Sequence, residues 1–217
     1  MDRGIRISCR NSDWSGTANL FRARQDPEWM GRIQAVPCRS HNAESEIISS
    51  FYLQPADGGG LPLFKPGQYI TVRVPDARGQ TTMRNYSLSN APGEDHFRIS
   101  VKQEPEGFVS SFLHGKAEQR TEVEVGPPCG EFFIDLTERH ERPLMLISAG
   151  VGITPMLSIL SSVLKVQPGR EVFFIHGALN GRVHAFRELV RQLAGLHANL
   201  KVHYRYSEAS EEDRTMH

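Results

Sequence analysis

The hydrophobic pattern changes character once along the chain. Between residues 31 and 137 the apolar positions fall in short β-type runs, at 46–54, 68–74, 83–89, 96–103 and 121–125. Turn chemistry separates them: Asp57-Gly58-Gly59-Gly60, Pro66-Gly67, Pro75-Asp76 and Pro92-Gly93. Glycine supplies positive φ and proline presets the first turn position, so these clusters punctuate strands. Several short strands at this spacing predict an antiparallel barrel. One short helix interrupts them at 108–114, with Gly115 as its stop.

After Arg142-Pro143 the period lengthens. Residues 144–149 and 172–175 are continuous apolar runs, the mark of parallel strands covered on both faces. Met156, Leu157, Ile159, Leu160, Val163 and Leu164 recur at helical spacing, as do Phe186, Leu189, Val190 and Leu193. The last run, 200–206, alternates instead: Leu200, Val202, Tyr204 and Tyr206 share one face, and Lys201, His203 and Arg205 the other. That suits an edge strand. The expected fold class is β plus α/β: an antiparallel barrel over 31–140, then a partial parallel α/β domain over 141–217. Residues 1–30 lack periodicity and read as a linker or an upstream remnant, with one short helix at 19–24.

Composition narrows the function classes. Lys+Arg and Asp+Glu are both 25, so no net field draws the chain to nucleic acid or to an acidic membrane. The nine histidines form no metal-ligand spacing. Cys9, Cys38 and Cys129 are odd in number and far apart, which argues against a disulfide framework and for a reducing cytoplasm. The N-terminal stretch has no apolar signal core, and no segment approaches the roughly 18 apolar residues of a membrane helix. No membrane span is expected.

Two motifs carry chemistry. Gly150-Val151-Gly152-Ile153-Thr154-Pro155 follows an apolar strand and precedes an amphipathic helix. Glycines let the backbone turn tightly and approach a ligand closely, Thr154 suits an N-cap, and Pro155 suits the first helical position. Together they would offer free N–H groups and a positive helix end to an anion such as a pyrophosphate. The plain alternative is an ordinary tight strand-to-helix turn. The second motif is Arg84-Asn85-Tyr86-Ser87-Leu88 on a predicted strand. Alternation puts Arg84 and Tyr86 on one face and Asn85 and Ser87 on the other. An Arg–aromatic pair can grip a phosphate while its ring lies against a planar heterocycle. Its plain alternative is a solvent-facing Arg beside a half-buried Tyr.

In this order and spacing the two motifs resemble the ferredoxin-NADP-reductase-like superfamily, and more closely the reductase half of flavohaemoglobins and related fused reductases. Further matching segments are Pro66-Gly67-Gln68-Tyr69, Ile99-Ser100-Val101-Lys102, Val109 through His114, Gly130-Glu131-Phe132-Phe133, Ile147 through Leu157 and Val183-His184-Ala185-Phe186. The resemblance implies an FAD-binding barrel followed by a partial nicotinamide-binding domain. FAD would be held by Tyr69, Arg84, Asn85, Tyr86, Ser87 and Val101, with Gly107, Val109 and Ser110 supporting its phosphates. Arg84 would bind FAD phosphate, Tyr86 would pack on the isoalloxazine, and Ser87 would hydrogen-bond near the flavin N5. Gly150, Val151, Gly152, Ile153, Thr154 and Pro155 would receive NADH or NADPH, with Thr154 near the nicotinamide. Tyr86, Ser87 and Thr154 are the implied catalytic residues.

The implied activity is hydride transfer from NAD(P)H to FAD, then electron release to a separate haem, iron–sulfur or other acceptor, on a redox protein or a fused domain. Members of such families continue beyond the last strand of this sequence. The apolar strand at 144–149 is then expected to keep an unpaired edge, an association site. The alternative function is a flavin-binding module with impaired or no reductase activity.

Several residues carry simpler expectations. Cys129 reads as a small buried residue. His176 is either a ribose or adenine contact or a satisfied strand-end histidine. His114 and His184 read as structural, and Phe132 and Phe133 as core residues joining the two domains. Residues 208–214 read as a solvated tail. Arg182 and Arg205 do not separate NADH from NADPH, because many charges would be harmless where they sit.

Overall fold

The computed structural model describes residues 32–36, 43–55, 59–75, 80–115, 121–137 and 141–215. The linker and short helix expected within 1–30 lie outside the described residues. The first half holds β1 (Arg32–Val36), β2 (Ile48–Pro55), β3 (Tyr69–Pro75), β4 (Thr81–Ser87), β5 (Phe97–Lys102), α1 (Phe108–Gly115) and β6 (Thr121–Val125). The strands form an antiparallel sheet in the order β4-β3-β6-β1-β2-β5. Its two ends meet at the Leu88–Ile99 bridge, where the Ser89 N–H also donates to the Arg98 carbonyl at 2.8 Å. That contact curls the sheet into the expected barrel.

Period-two burial explains why the barrel closes around its core. In β3, Ile70, Val72 and Val74 are fully buried, while Thr71 and Arg73 between them stay half-buried. Leu53, Leu88, Phe97 and Ile99 meet them from the facing strands. Each such side chain contributes about 1.5–3 kcal/mol on burial. β1 was not foreseen as a run of its own. It is five residues long, and it is specified by pairing to both β2 and β6.

The second half holds β7 (Leu144–Ala149), α2 (Ile153–Val166), β8 (Val172–Ala178), α3 (Arg187–Leu196), β9 (Leu200–Tyr206) and α4 (Glu211–Thr215). β7, β8 and β9 form a parallel sheet in chain order. Right-handed crossovers in one direction put α2 and α3 on the same face. Leu146, Phe174, Val172 and Leu200 form a core with Leu157, Leu160 and Val190 of those helices. The expectation of strands covered on both faces is corrected here. Met145 and Ile147 of β7 are 58% and 60% exposed, so among the described residues only one face is covered. β7 has one strand neighbour among the described residues, leaving the expected edge, and β9 alternates in burial as its pattern predicted.

Three other expectations change. Residues 208–214 are a solvated tail only in part: Glu208, Glu211, Glu212 and Arg214 are exposed, but Asp213 is 4% exposed and accepts the Gly181 N–H, while Ser210 donates to it through both N–H and hydroxyl. Phe186 does not start a helix, because its φ is +61° and α3 begins at Arg187. Phe132 is 58% exposed, while Phe133 is half-buried and carries the Lys65 ammonium 4.2 Å from its ring centroid.

The two halves meet through few contacts. Ile48 of β2 is buried in the core of the α/β half. The Glu46 N–H donates to the Arg182 carbonyl at 3.1 Å. Gly67, at φ +106°, is the tightest point: a Cβ there would stand 2.6 Å from the Phe132 carbonyl oxygen and 3.3 Å from Ile159 of α2.

Candidate functional site

β4 is an end strand of the sheet and meets β5 at the Leu88–Ile99 bridge just past its last residue, so along Arg84 and Tyr86 its described strand partner is β3. Its register places Arg84 opposite Val72 and Tyr86 opposite Ile70. Directly opposed residues share a face, so Arg84 and Tyr86 lie together at the barrel rim, as alternation predicted. Arg84 is exposed and donates to its neighbouring Met83 carbonyl at 2.8 Å, which leaves most of its guanidinium donors available. The Tyr86 ring packs on the barrel core, and burial pushes its hydroxyl up to about 12, against the opposing pull of Arg84. Tyr86 is therefore a neutral ring at neutral pH.

The other face of the β3–β4 ribbon carries Asn85 and Ser87, opposite Thr71 and Tyr69. Thr71 donates to the Asn85 amide oxygen at 2.9 Å. Tyr69 is held from behind by the segment of Cys129 and Gly130. Backbone bonds of 3.0 and 2.8 Å join Tyr69 to Cys129, and a Cβ on Gly130 would come within 2.8 Å of the Tyr69 ring. Cys129 is half-buried rather than fully buried.

Helix α1 lies against β3 and β4. Gly107 precedes it; a Cβ there would be 2.4 Å from Ser110 Oγ. Val109 and Ser110 are buried, and Ser110 is occupied locally, donating to the Gly107 carbonyl at 3.0 Å. What α1 can present to a phosphate is backbone N–H, in keeping with a helix start. Val101 is 1% exposed, and its carbonyl meets His114 Nε2 at 3.0 Å, so its side chain belongs to the core.

The glycine turn ends β7 as a short 3-10 turn, Gly150–Gly152, before α2. Thr154 is not the N-cap. The cap position is Gly152, without a side-chain cap, and Thr154 is the second helical residue, buried and donating to the Val151 carbonyl at 3.0 Å. Pro155 is accordingly the third helical residue rather than the first. Gly150 needs glycine because its φ is +52°. Gly152 has φ −62°, and a Cβ on it would meet nothing within 4 Å. Neither conformation nor packing inside the chain asks for glycine at 152. Ile153 is fully buried and anchors the turn from below, while Val151 is 39% exposed at its tip. The turn lies against β5 of the barrel.

His176 is 1% exposed and is aimed at the helix-covered face, where its Nδ1 meets Ser148 Oγ at 2.9 Å. Its Nε2 is buried without a hydrogen-bond partner among the described residues, so it is only half satisfied. His184 is likewise buried, with Nδ1 2.8 Å from the Tyr206 hydroxyl.

The sequence reading missed a buried polar chain in the barrel. Glu44 Oε1 accepts from Ser50 Oγ at 2.6 Å, Ser50 and Ser100 hydroxyls lie 2.9 Å apart, and Ser100 and Ser89 hydroxyls 2.9 Å apart. Arg98 Nε then donates to Ser89 Oγ at 3.0 Å. Burial pushes the Glu44 carboxyl up, with Ser50 and Arg98 opposing. The available signal was three serines placed at otherwise apolar positions of paired strands.

Comparison with known proteins agrees with this layout. Residues 43–134 match the oxidoreductase FAD-binding domain and residues 146–217 the oxidoreductase NAD-binding domain. The flavohaemoprotein of Rhodopirellula baltica is 46% identical over 170 residues, covering 74% of this chain and 41% of that protein. The flavohaemoprotein of Bacillus subtilis is 46% identical over 173 residues, 79% of this chain and 42% of its own length. The crystal structure of the flavohaem-like FAD/NAD-binding domain of nitric oxide dioxygenase from Vibrio cholerae O1 biovar El Tor has TM-score 0.75 and 35% identity. It is matched over 84% of this chain and 77% of that one.

The chain belongs to the ferredoxin-reductase-like FAD- and NAD-binding oxidoreductases. It spans about two-fifths of the length of the curated relatives, 41% and 42% for the two named above. It carries the FAD-binding and NAD-binding domains of that family, whose cofactors are FAD and a nicotinamide dinucleotide. No helix among the described residues is long and apolar enough to cross a membrane.

Proposed function

We propose that this module receives hydride from NADH or NADPH at the Gly150–Gly152 turn and delivers electrons through FAD at the β4 rim to a haem, iron–sulfur or other acceptor on a separate domain or protein. The observation that carries it is Gly152: a conformationally ordinary glycine facing open space, on a turn set against the barrel strand β5. The name flavohaemoprotein borne by the relatives makes a haem the favoured acceptor, and the cysteine usage favours a cytoplasmic setting. Bound FAD would take the two electrons of the hydride together and release them singly, chemistry that belongs to the cofactor.

The residues divide the remaining work. Arg84 and the first N–H groups of α1 bind phosphate, the neutral Tyr86 ring and Tyr69 flank the flavin, and Asn85 and Ser87 supply polar contacts, Ser87 near the flavin N5. The backbone of Gly150 and Gly152 approaches the dinucleotide pyrophosphate, and Thr154 holds the turn closed through Val151. The boundary near residue 140 separates the two binding units.

A second reading, a flavin-binding module without efficient reductase activity, is favoured by the bare Met145–Ile147 face among the described residues. The test is the visible spectrum of the purified chain during anaerobic addition of NADH or NADPH. A yellow protein bleached rapidly by either nucleotide supports the reductase. Bleaching by dithionite alone selects the second reading, and a colourless chain that takes up no added FAD overturns both.

A further inference from the structure

Phe186 is the one non-glycine residue with positive φ among the described residues, at +61°. A bulky residue in that region is uncommon and is held there by its surroundings. It is 3% exposed, packs with Ala185 and Val190 in the α/β core, and its carbonyl accepts the Val190 N–H at 3.0 Å, closing the first turn of α3. What lies over its ring comes from the other half of the molecule. The Arg98 guanidinium carbon of β5 stands 5.3 Å from the Phe186 ring centroid, within cation–π range.

Arg98 is not a free surface cation. Its Nε donates to Ser89 Oγ at 3.0 Å, an Nη2 hydrogen bond reaches the Ser89 carbonyl, and its own N–H donates to Asn90 Oδ1 at 2.9 Å. Ser89 is in turn the end of the buried chain through Ser100 and Ser50 to Glu44, and these three serines are 0%, 3% and 6% exposed. Glu44 lines the cleft between the halves together with Phe186 and Arg187. A carboxylate, three hydroxyls and a fixed guanidinium thus run through the barrel wall and end on one ring of the α/β half.

We propose that Arg98 is a positioning residue: braced by Ser89 and the Glu44–Ser50–Ser100 chain, it clamps Phe186 and fixes the start of α3, and with it the dinucleotide-binding half, against the barrel. Of the other described contacts across the junction, one is directional, the hydrogen bond from the Glu46 N–H to the Arg182 carbonyl at 3.1 Å. Ile48 and the Gly67–Ile159 approach are apolar, and apolar contact is non-directional. The Glu46–Arg182 ion pair, 3.8 Å apart, is exposed. Resting on the reductase reading, the consequence is kinetic. Hydride transfer needs reacting atoms held within about 3.5 Å, and a displacement of about 1 Å is felt strongly in rate. Loosening the clamp should slow transfer without weakening the capture of either cofactor, because Arg98 and Phe186 belong to neither binding site.

The test uses the full chain loaded with FAD, with Arg98→Met, Arg98→Lys and Phe186→Leu compared by hydrogen exchange and by anaerobic bleaching with NADH. Arg98→Met and Phe186→Leu should speed exchange of the Glu46 and Val190 amides about tenfold while the β3 amides hold. Their limiting bleaching rate should fall about tenfold, with half-saturation by NADH changed less than about threefold. Arg98→Lys, which keeps the cation, should recover part of both losses. Phe186→Leu leaves the serine chain intact, so the clamp is still tested if Arg98→Met fails to fold. Unchanged exchange at Glu46 and Val190, or exchange raised equally throughout the barrel, overturns the clamp. So does a rate loss carried wholly by NADH half-saturation. A wild-type chain that holds FAD yet is not bleached by NADH removes the reductase reading alone; the exchange comparison then decides the clamp by itself.

Discussion

The imidazoles of His176 and His184 lie side by side on the helix-covered side of the sheet, ring centroids 4.8 Å apart and planes tilted by 36°. Each is anchored through Nδ1 to a hydroxyl, Ser148 for one and Tyr206 for the other. Their Nε2 atoms and the Tyr204 hydroxyl are buried without a hydrogen-bond partner among the described residues. Burial lowers His176 to about 4. Burial also lowers His184 to about 3, helped by its neighbours His176 and Arg187 and opposed by Asp213.

This pair should make the fold acid-sensitive. A histidine whose folded pKa lies below its unfolded value binds protons more readily when unfolded. Stability is therefore full above about pH 6.5 and falls as pH drops toward about 4, by an amount on the order of 2 kcal/mol per imidazole. Thermal melts between pH 7.5 and 4.5 should show a steady decline that His176→Phe makes shallower. A variant profile parallel to the wild type would remove the histidine pair as its cause.

Two glycines should behave oppositely. Gly67→Ala combines positive φ with a Cβ 2.6 Å from a backbone oxygen, so it should cost about 2–4 kcal/mol, read by denaturant unfolding. Gly152→Ala meets open space at ordinary φ and should leave the unfolding curve in place. NADH titration should nevertheless weaken about tenfold or more in that variant, the signature of a glycine kept for a ligand.

Arg84→Met should leave stability unchanged, since the exposed guanidinium is bonded only locally in what the structure describes. FAD should bind about tenfold to a hundredfold more weakly, the loss of about 1.5–3 kcal/mol expected for a charged hydrogen bond. Retention of flavin through dialysis, or calorimetric titration of FAD into the apoprotein, checks it. Equal affinity would take Arg84 out of the phosphate site.

Asp213→Ala should release the loop between β8 and α3. The Asp213 carboxyl is held below the usual carboxylate range by the Ser210 and Gly181 N–H groups it accepts. Without it the Gly181 amide should exchange about tenfold faster. The same loosening should appear in the wild type as the carboxyl protonates in acid, because a depressed carboxylate contributes only while ionised. Protection of Gly181 that survives the substitution would place the restraint elsewhere.

Much of this was legible in the sequence because the local signals were strong. Pro66-Gly67 and Pro92-Gly93 marked turns, and the apolar period distinguished barrel from α/β half. The glycine turn and the Arg84–Ser87 strand could be placed because each sits at an element boundary. The misses share a cause. β1 is defined by its pairing partners, Phe186 takes a left-handed conformation that its side chain disfavours, and Asp213 is buried by a contact 32 residues away. The serine chain behind Arg98 joins positions up to 50 residues apart, and Thr154 lost the cap to Gly152 because the turn tightened into a 3-10 form. Apart from the Thr154 cap, which the tight local turn decided, contacts distant in sequence decided these, and local patterns do not contain them.

The strand orders of the two halves also set a timetable for folding. β6 sits between β3 and β1, so Thr121–Val125 must be available before the barrel sheet is continuous. β7, β8 and β9 are added in chain order, each beside the strand just before it. Non-local pairing is slow because loop closure precedes the contacts that reward it. On the ribosome the barrel sheet stays in two pieces, β1-β2-β5 and β3-β4, until its sixth strand emerges, whereas each strand of the α/β half finds its neighbour already made.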